Sequence, residues 1–209
     1  MRARAGAGGA GAGRGGRCGR LGWLGWPILA YRVHVTRLLL LADTHLPKRA
    51  RDLPTEVWQA VDAAEVVFHA GDWVDLETYE RLTARVAAAG GTFVGVWGNN
   101  DGPELRAVLP EVARVETSGL RFAMTHETGP ATGREARADA AFPDVDVLVF
   151  GHSHIPWDSV TPGGVRLLNP GSPTDRRRQP SCTYLTATAT AAQLGGTLTD
   201  VTLHRLPPR

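Results

Sequence analysis

The chain is poor in lysine and cysteine and has no long hydrophobic segment. Lys48 is the only lysine among 209 residues, so nearly all positive charge is carried by arginine. Two cysteines, Cys18 and Cys182, give no disulfide framework, and neither belongs to a C-x-x-C pair. That scarcity fits a reducing, cytoplasmic setting. The longest N-terminal apolar stretch, "LGWLGWPILAY" (21–31), is interrupted by glycine and proline and is too short to span a bilayer. It follows basic residues as a signal peptide would, but it lacks a clean small-x-small cleavage site. No membrane association is expected.

Acidic residues are missing from positions 1–36, which hold six arginines. The formal charge of +2 is therefore misleading. Of the 23 basic residues, 17 remain after these six are set aside, against 21 acidic ones, so the body carries −4. A body of that sign lacks the basic face that general nucleic-acid binding requires. "MRARAGAGGAGAGRGGRCGR" is Gly/Ala/Arg low complexity without apolar period. Residues 1–34 read as a disordered extension, or as the product of a start codon placed too early, with the domain itself at 35–207. N-terminal sequencing of the native protein separates the two.

The chain as a whole contains 43% hydrophobic and 21% charged residues, the composition of a globular domain. "VTRLLLLADTH" reads as a buried strand running into polar residues. Pro54 and Thr55 open a helix with Val57, Ala60, Val61 and Ala64 at helical spacing. "EVVFHAGD" is a second strand, "LETYERLTARVAAAGG" an amphipathic helix closed by Gly90, and "TFVGVWGNND" a third strand. This β-α-β-α-β order implies parallel pairing in a layered α/β fold. "ARVETSGLRFAMTHE" then reads as a hairpin turning at Ser118-Gly119, "ATGREARADAA" as a helix and "DVDVLVFGHSH" as a buried strand. The remaining segments are strand-like between Gly/Pro turns, so the second half is expected to add mostly antiparallel strands. The whole reads as two sheets flanked by helices.

The polar residues fall where the apolar strands stop. Five strand ends carry Asp43-Thr44-His45, Gly71-Asp72, Gly98-Asn99-Asn100-Asp101, Thr125-His126-Glu127 and Gly151-His152-Ser153-His154. In α/β sheets the carboxyl ends of strands face a common crevice. Residues i and i+2 of an extended chain share a side, which pairs Asp43 with His45 and His152 with His154. Glycines 71, 98 and 151 allow sharp turns or close approach. Each residue alone has a plainer role, an aspartate as a cap or turn former and a histidine as a partner for a carbonyl. Together, four imidazoles, two carboxylates and an amide oxygen form a mixed N/O set without thiolate. That set is too large for one tetrahedral zinc and suits two ions about 3.5–4 Å apart.

The ordered blocks D-x-H, G-D, G-N-x-D, H and G-H-x-H resemble those of the calcineurin-like metallophosphoesterases. Size and the "NPGS" of Asn169–Ser172 resemble the small single-domain phosphodiesterase branch of YfcE type. The resemblance covers about 35–207. It implies a four-layer αββα sandwich of two mixed sheets. It further implies Asp43, His45 and His154 on a first divalent ion, Asn99, His126 and His152 on a second, and Asp72 bridging both. Manganese is the usual ion, with nickel, zinc or iron as alternatives.

Two positions depart from the pattern. The larger family has histidine after Gly-Asn, where this chain has Asn100, which can donate a hydrogen bond but cannot act as an acid. Diesters with good leaving groups are therefore favoured. Glu127-Thr128 stand where many relatives continue His-Gly-His.

The expected reaction is in-line attack on a phosphoric diester by a metal-bridging hydroxide, with Asn100 steadying a nonbridging oxygen. Asp101 either orients Asn100 or caps the following turn. Arg176, Arg177 and Arg178 either reach the phosphate or belong to a solvated loop. Asn169–Ser172 reads as a turn supporting the site, His69 as support or packing, and Trp73 as pocket wall. Trp58 and Trp157 read as packing residues, and His34 and His204 have no evident partners. The expected partner is a small-molecule diester, with the choice between monomer and homo-oligomer left open. A scaffold on the same fold, as in the retromer subunit, and a phosphomonoesterase are the competing readings.

Overall fold

Four consecutive leucines set the layering. In the computed structural model, which describes residues 35–193 and 195–207, strand β1 (Val35–Leu41) is buried on both faces. Leu38 and Leu40 enter a core shared by two sheets, whereas Leu39 and Leu41 face a separate core beneath helices. The period-two alternation of a strand sends successive side chains to opposite layers, so a strand covered on both sides needs apolar residues at every position. Each such leucine contributes about 1.5–3 kcal/mol relative to an exposed one.

The other elements follow in order. They are α1 (Thr55–Ala63), β2 (Val66–Ala70), α2 (Leu76–Ala88), β3 (Thr92–Val96), α3 (Pro103–Val108), β4 (Val112–Thr117), β5 (Leu120–Thr125), α4 (Arg134–Ala141), β6 (Val147–Val149), β7 (Trp157–Val160), β8 (Arg166–Asn169), β9 (Thr183–Ala192) and β10 (Gly195–Arg205). Pro54 precedes α1 at φ −56, a value proline fixes and a helix start accepts. Asp75 caps α2 by accepting the Thr78 N–H at 2.9 Å. Helix α3 was not anticipated from the sequence. Its six residues are too few to show a period, and Pro103 in the first turn is its one local signal.

The first sheet has the order β10-β9-β1-β2-β3 and the second β4-β5-β6-β8-β7. β1, β2 and β3 are parallel, with Leu38 opposite Val66 and Val66 opposite Thr92. The expectation of a mostly antiparallel second half holds for four of its six pairings, β4–β5, β7–β8, β1–β9 and β9–β10. β5, β6 and β8 are also parallel, and antiparallel pairing is confined to β4, β7 and the β9–β10 ribbon added to the first sheet. The reason is connectivity: α4 carries the chain from β5 back to the start of β6, and β7 carries it back from β6 to β8. The β4–β5 hairpin turns at Ser118 (φ 49) and Gly119 (φ 72), as the sequence indicates.

Phe68, Phe122, Met124 and Val149 fill the space between the sheets. Val57, Val61, Leu82 and Leu105 pack α1, α2 and α3 against the outer face of the first sheet. Ala138, Leu148 and Leu167 seat α4 on the outer face of the second. The architecture is thus the αββα sandwich of two mixed sheets, and six parallel strands, three per sheet, supply the ends that carry the site. None of the described helices is long and apolar enough to cross a membrane. Residues 1–34, with Cys18 and His34, lie outside the described residues.

Candidate metal centre

The loops after β1, β2, β3, β5 and β6 bring all seven sequence-predicted donors together. Asp43 follows β1 and is fully buried; one of its oxygens, Oδ2, has no hydrogen-bond partner. Its Oδ1 lies 3.4 Å from His154 Nε2 and 3.9 Å from His45 Nε2. The two imidazole Nε2 atoms of His45 and His154 are 3.1 Å apart. His154 Nδ1 donates to the Asp175 carbonyl at 2.7 Å, which fixes the tautomer and leaves the Nε2 lone pair facing its neighbours.

The other half has the same logic. His126 Nδ1 donates to the Ala70 carbonyl at 2.7 Å, and Nε2 lies 3.1 Å from Asn99 Oδ1 and 3.4 Å from Asp72 Oδ2. His152 Nδ1 is 2.9 Å from the same Asn99 oxygen. Asp72 Oδ2 is equidistant, at 3.4 Å, from His45 Nε2 and His126 Nε2, and so lies between the halves. Asp43, His45 and His154 form one group of ligand atoms within 4.8 Å, and Asp43, Asp72 and His126 form another. Asp43 therefore reaches both halves, where the sequence reading assigned it to one.

Lone pairs aimed at lone pairs, with a buried carboxylate oxygen left over, form an arrangement that a cation between them would satisfy. The pKa shifts express that need. Burial pushes the Asp43 carboxyl well above its usual value. Burial also lowers His45, and it pushes His154 down to about 4. For His126 burial acts downward but is outweighed by its hydrogen bond to Asp72 and by the charges of Asp43 and Asp72, which bring it up to about 8. Asp72 is held below the normal carboxylate range: burial raises it, but His126 and two N–H groups of Asn100 lower it more. The mixed N/O donor set fits divalent first-row ions.

The backbone is bent at the donors themselves. Asp43 (φ 55), His45 (φ 45), Asp72 (φ 61), His152 (φ 68) and His154 (φ 57) are all left-handed. Sparsely populated backbone of this kind costs of order 1–3 kcal/mol per residue and persists only where the surroundings enforce it. The i, i+2 rule for extended chains therefore does not apply. His152 turns toward Asn99 while His154 turns toward His45, so members of one dipeptide repeat serve opposite halves. Two glycines permit the crowding. A Cβ on Gly98 would overlap the Asp72 carboxylate, and one on Gly151 would lie 3.0 Å from Asp43 Oδ2.

The supporting residues have specific tasks. Asn100 gives its backbone N–H to Asp72 Oδ1 at 2.8 Å and its amide to Oδ2 at 2.7 Å, so its first role is to hold that carboxylate. Asp101 does not touch the Asn100 side chain. Its carboxylate accepts the N–H groups of Asp72 (3.1 Å), Gly98 (2.7 Å) and Val74 (2.8 Å), which fastens two loops together. Asn169 donates to the Gly151 carbonyl, and the Ser172 hydroxyl donates to the Asp43 carbonyl at 2.7 Å, as expected of a supporting turn.

His69 lies beneath the site, 3.2 Å from Thr44 Oγ1 and stacked on Trp73 at 3.4 Å. Trp73 is fully buried, so it packs against the sheet and does not wall the pocket. Trp58 and Trp157 pack at the edges of the two outer cores. His204 does have partners: Thr186 at 2.7 Å and the ring of Tyr184. Arg177 Nη1 reaches the His152 carbonyl at 3.4 Å, while Arg176 bonds the Gln179 carbonyl in its own loop. Arg134 was not singled out from the sequence, because nothing in an arginine of an amphipathic helix signals that it will be buried. It lies beside the site at 5% exposure.

Comparison with known proteins agrees with this geometry. The model of the calcineurin-like phosphoesterase superfamily domain matches residues 37–192. A protein of Methanocaldococcus jannaschii named "probable metallophosphoesterase" is 33% identical over 141 residues, 65% of this chain and 67% of that protein. The solution structure of a Thermotoga maritima protein is 31% identical with a TM-score of 0.60, covering 82% of this chain and 99% of that one. Zinc-complexed Vps29 from Entamoeba histolytica shares the fold at 19% identity and a TM-score of 0.59, over 80% of this chain and 98% of that one. The kinship suggested by five strand-end blocks is thereby established: the chain belongs to the calcineurin-like phosphoesterase superfamily.

Proposed function

We propose that the protein is a phosphodiesterase that works with two divalent metal ions and hydrolyses small-molecule phosphoric diesters. The observation that carries this reading is the place of Asp72, whose Oδ2 stands 3.4 Å from an imidazole of each half. Asp43, His45 and His154 would hold one ion, Asn99, His126 and His152 the other, and Asp72 both. Ions bound there would supply a hydroxide nucleophile at neutral pH and polarise the phosphoryl oxygens. Manganese is the first candidate by the family resemblance, with nickel, zinc and iron next, three ions that suit imidazole donors.

The protein's own groups support the diester preference. Asn100 keeps one amide hydrogen on Asp72 and has a second for a nonbridging phosphoryl oxygen, but it has no proton to give a departing alkoxide. Substrates whose leaving group departs without protonation are favoured. Arg177 stands at the His152 edge of the site, where a guanidinium can fork onto phosphate. The negative body favours a small substrate over extended nucleic acid.

The test is hydrolysis of bis-p-nitrophenyl phosphate against p-nitrophenyl phosphate, with manganese, nickel or zinc. The diester is expected to turn over faster. Absence of turnover with every ion, together with no retained metal, would overturn the proposal. It would favour a non-catalytic scaffold, a reading that rests on Asn100 and on the fold shared with Vps29.

A further inference from the structure

Arg134, the first residue of α4, is a buried cation that forms no ion pair among the described residues. It is 5% exposed, its Nε has no partner, and its one hydrogen bond runs from Nη2 to the Gly129 carbonyl at 3.3 Å. The guanidinium lies over the rings of Phe150 and Trp157, at 4.8 and 4.5 Å from their centroids. The adjacent Glu135 is committed to the Ser159 hydroxyl at 2.9 Å. Among the described residues no carboxylate forms an ion pair with Arg134. Arginine does not lose its proton in proteins, so burial cannot be relieved by neutralisation. Two aromatic faces offset part of the cost, and an anion would offset the rest.

Space for that anion is present. Arg134 lines a cavity of about 410 Å³ that is also lined by Arg177, His152 and residues 127–131 of the loop before α4. Arg137 pins this loop by donating to the carbonyls of Thr128, Pro130 and Thr132. The cavity is continuous with the metal centre, because His152 belongs to both. Glu127 is the one acid in its lining, and its side chain is 56% exposed at 3.8 Å from His152 Nε2. Two guanidinium groups against one rim carboxylate leave the cavity positive.

We propose that this cavity, between Arg134 and Arg177, is a subsite for a second phosphate of the substrate. The preferred diester then carries a phosphate group besides the scissile one. This inference rests on the diesterase reading and narrows its substrate class.

Two esters with the same leaving group test it: the p-nitrophenyl ester of thymidine 5′-phosphate, and the same ester bearing a 3′-phosphate. In each, water adds its oxygen to the 5′ phosphorus, the bond to the p-nitrophenyl oxygen breaks, and p-nitrophenolate and thymidine 5′-phosphate (or its 3′-phosphorylated form) result. The 3′-phosphorylated ester is expected to have the higher kcat/KM by about tenfold or more, the scale of charge-assisted hydrogen bonds. In Arg134→Met, which keeps the apolar stem, that ratio is expected to fall toward one. Arg134→Lys, which keeps the charge, should retain part of it. Thermal melting of both variants checks that each is folded. Equal rates in the unaltered protein, or an unchanged ratio in folded Arg134→Met, overturn the subsite. Hydrolysis of bis-p-nitrophenyl phosphate with neither nucleotide ester cleaved also overturns it while the diesterase reading stands. If no diester is cleaved with any ion, both fail together.

Discussion

The two halves of the donor cluster face solvent very differently. The His45–His154 half is sealed, with the His154 side chain at 0% and the Asp43 side chain at 0% exposure. The Asn99–His126–His152 half is open on one side: His126 is buried, but the His152 side chain is 42% exposed and Asn99 lies at the surface. The sealed half is fixed by neighbours that cannot move far, including the Asp175 carbonyl on His154 and the Ser172 hydroxyl on the Asp43 carbonyl. The open half borders the cavity that carries Arg134 and Arg177. An ion in the first would be caged, whereas one in the second would meet substrate.

The largest effect is expected where the halves join. Asp72→Asn removes the shared carboxylate and should lower diester turnover by at least about 100-fold, since outer partners of metal ligands alone cost about 10- to 100-fold. A folded Asp72→Asn protein with unaltered turnover would break the comparison, because the halves would then be independent. Single alanines sharpen it. His154→Ala should lose the tighter metal equivalent in a titration. His152→Ala should keep that equivalent and weaken only the other, by about 10- to 100-fold.

A smaller effect follows from protons. His126 holds its proton up to about pH 8, and a metal must displace it. Affinity of the open half should rise by about tenfold per pH unit between 6 and 8 and level off above. Isothermal titration at several pH values measures this, and a flat profile would remove His126 from the ligand set. In the metal-free protein the sign reverses. A raised histidine pKa stabilises the fold fully below pH 6.5, and that contribution is lost as pH rises through about 8. The smallest effect is predicted for Ser172→Ala, which leaves the buried Asp43 carbonyl with only the longer, 3.4 Å hydrogen bond from the Thr174 hydroxyl. Urea unfolding should register a loss of about 1–3 kcal/mol, with metal binding disturbed in the sealed half before the open one.

Much of the site was legible because chemistry of this kind is written in single residues. Asp43, Asp72, Asn99 and the four histidines each stand at the end of an apolar run, and strand ends in α/β sheets converge. Strand geometry alone does not reveal how the donors divide; that division enters with the family resemblance. Extended geometry would have placed His152 and His154 on one side, but both adopt positive φ and turn to opposite halves. In the sequence Asp101 follows Asn100 and so reads as its partner or as a cap. Only the approach of the β2 loop makes it the clasp of Asp72 and Gly98.

By itself the sequence determined which strands are central, since a strand covered on both faces must be apolar throughout, as Leu38–Leu41 are. It marked the candidate donors as well, since metal chemistry depends on residue type. Tertiary structure alone decided that β5, β6 and β8 run parallel, because strand direction follows from how α4 and β7 return the chain and not from the strands' own composition. It also decided the fate of Arg134. An arginine is ordinarily a surface residue, and only the packing of α4 between Phe150, Trp157 and the 127–133 loop makes this one a buried cation beside the metal centre.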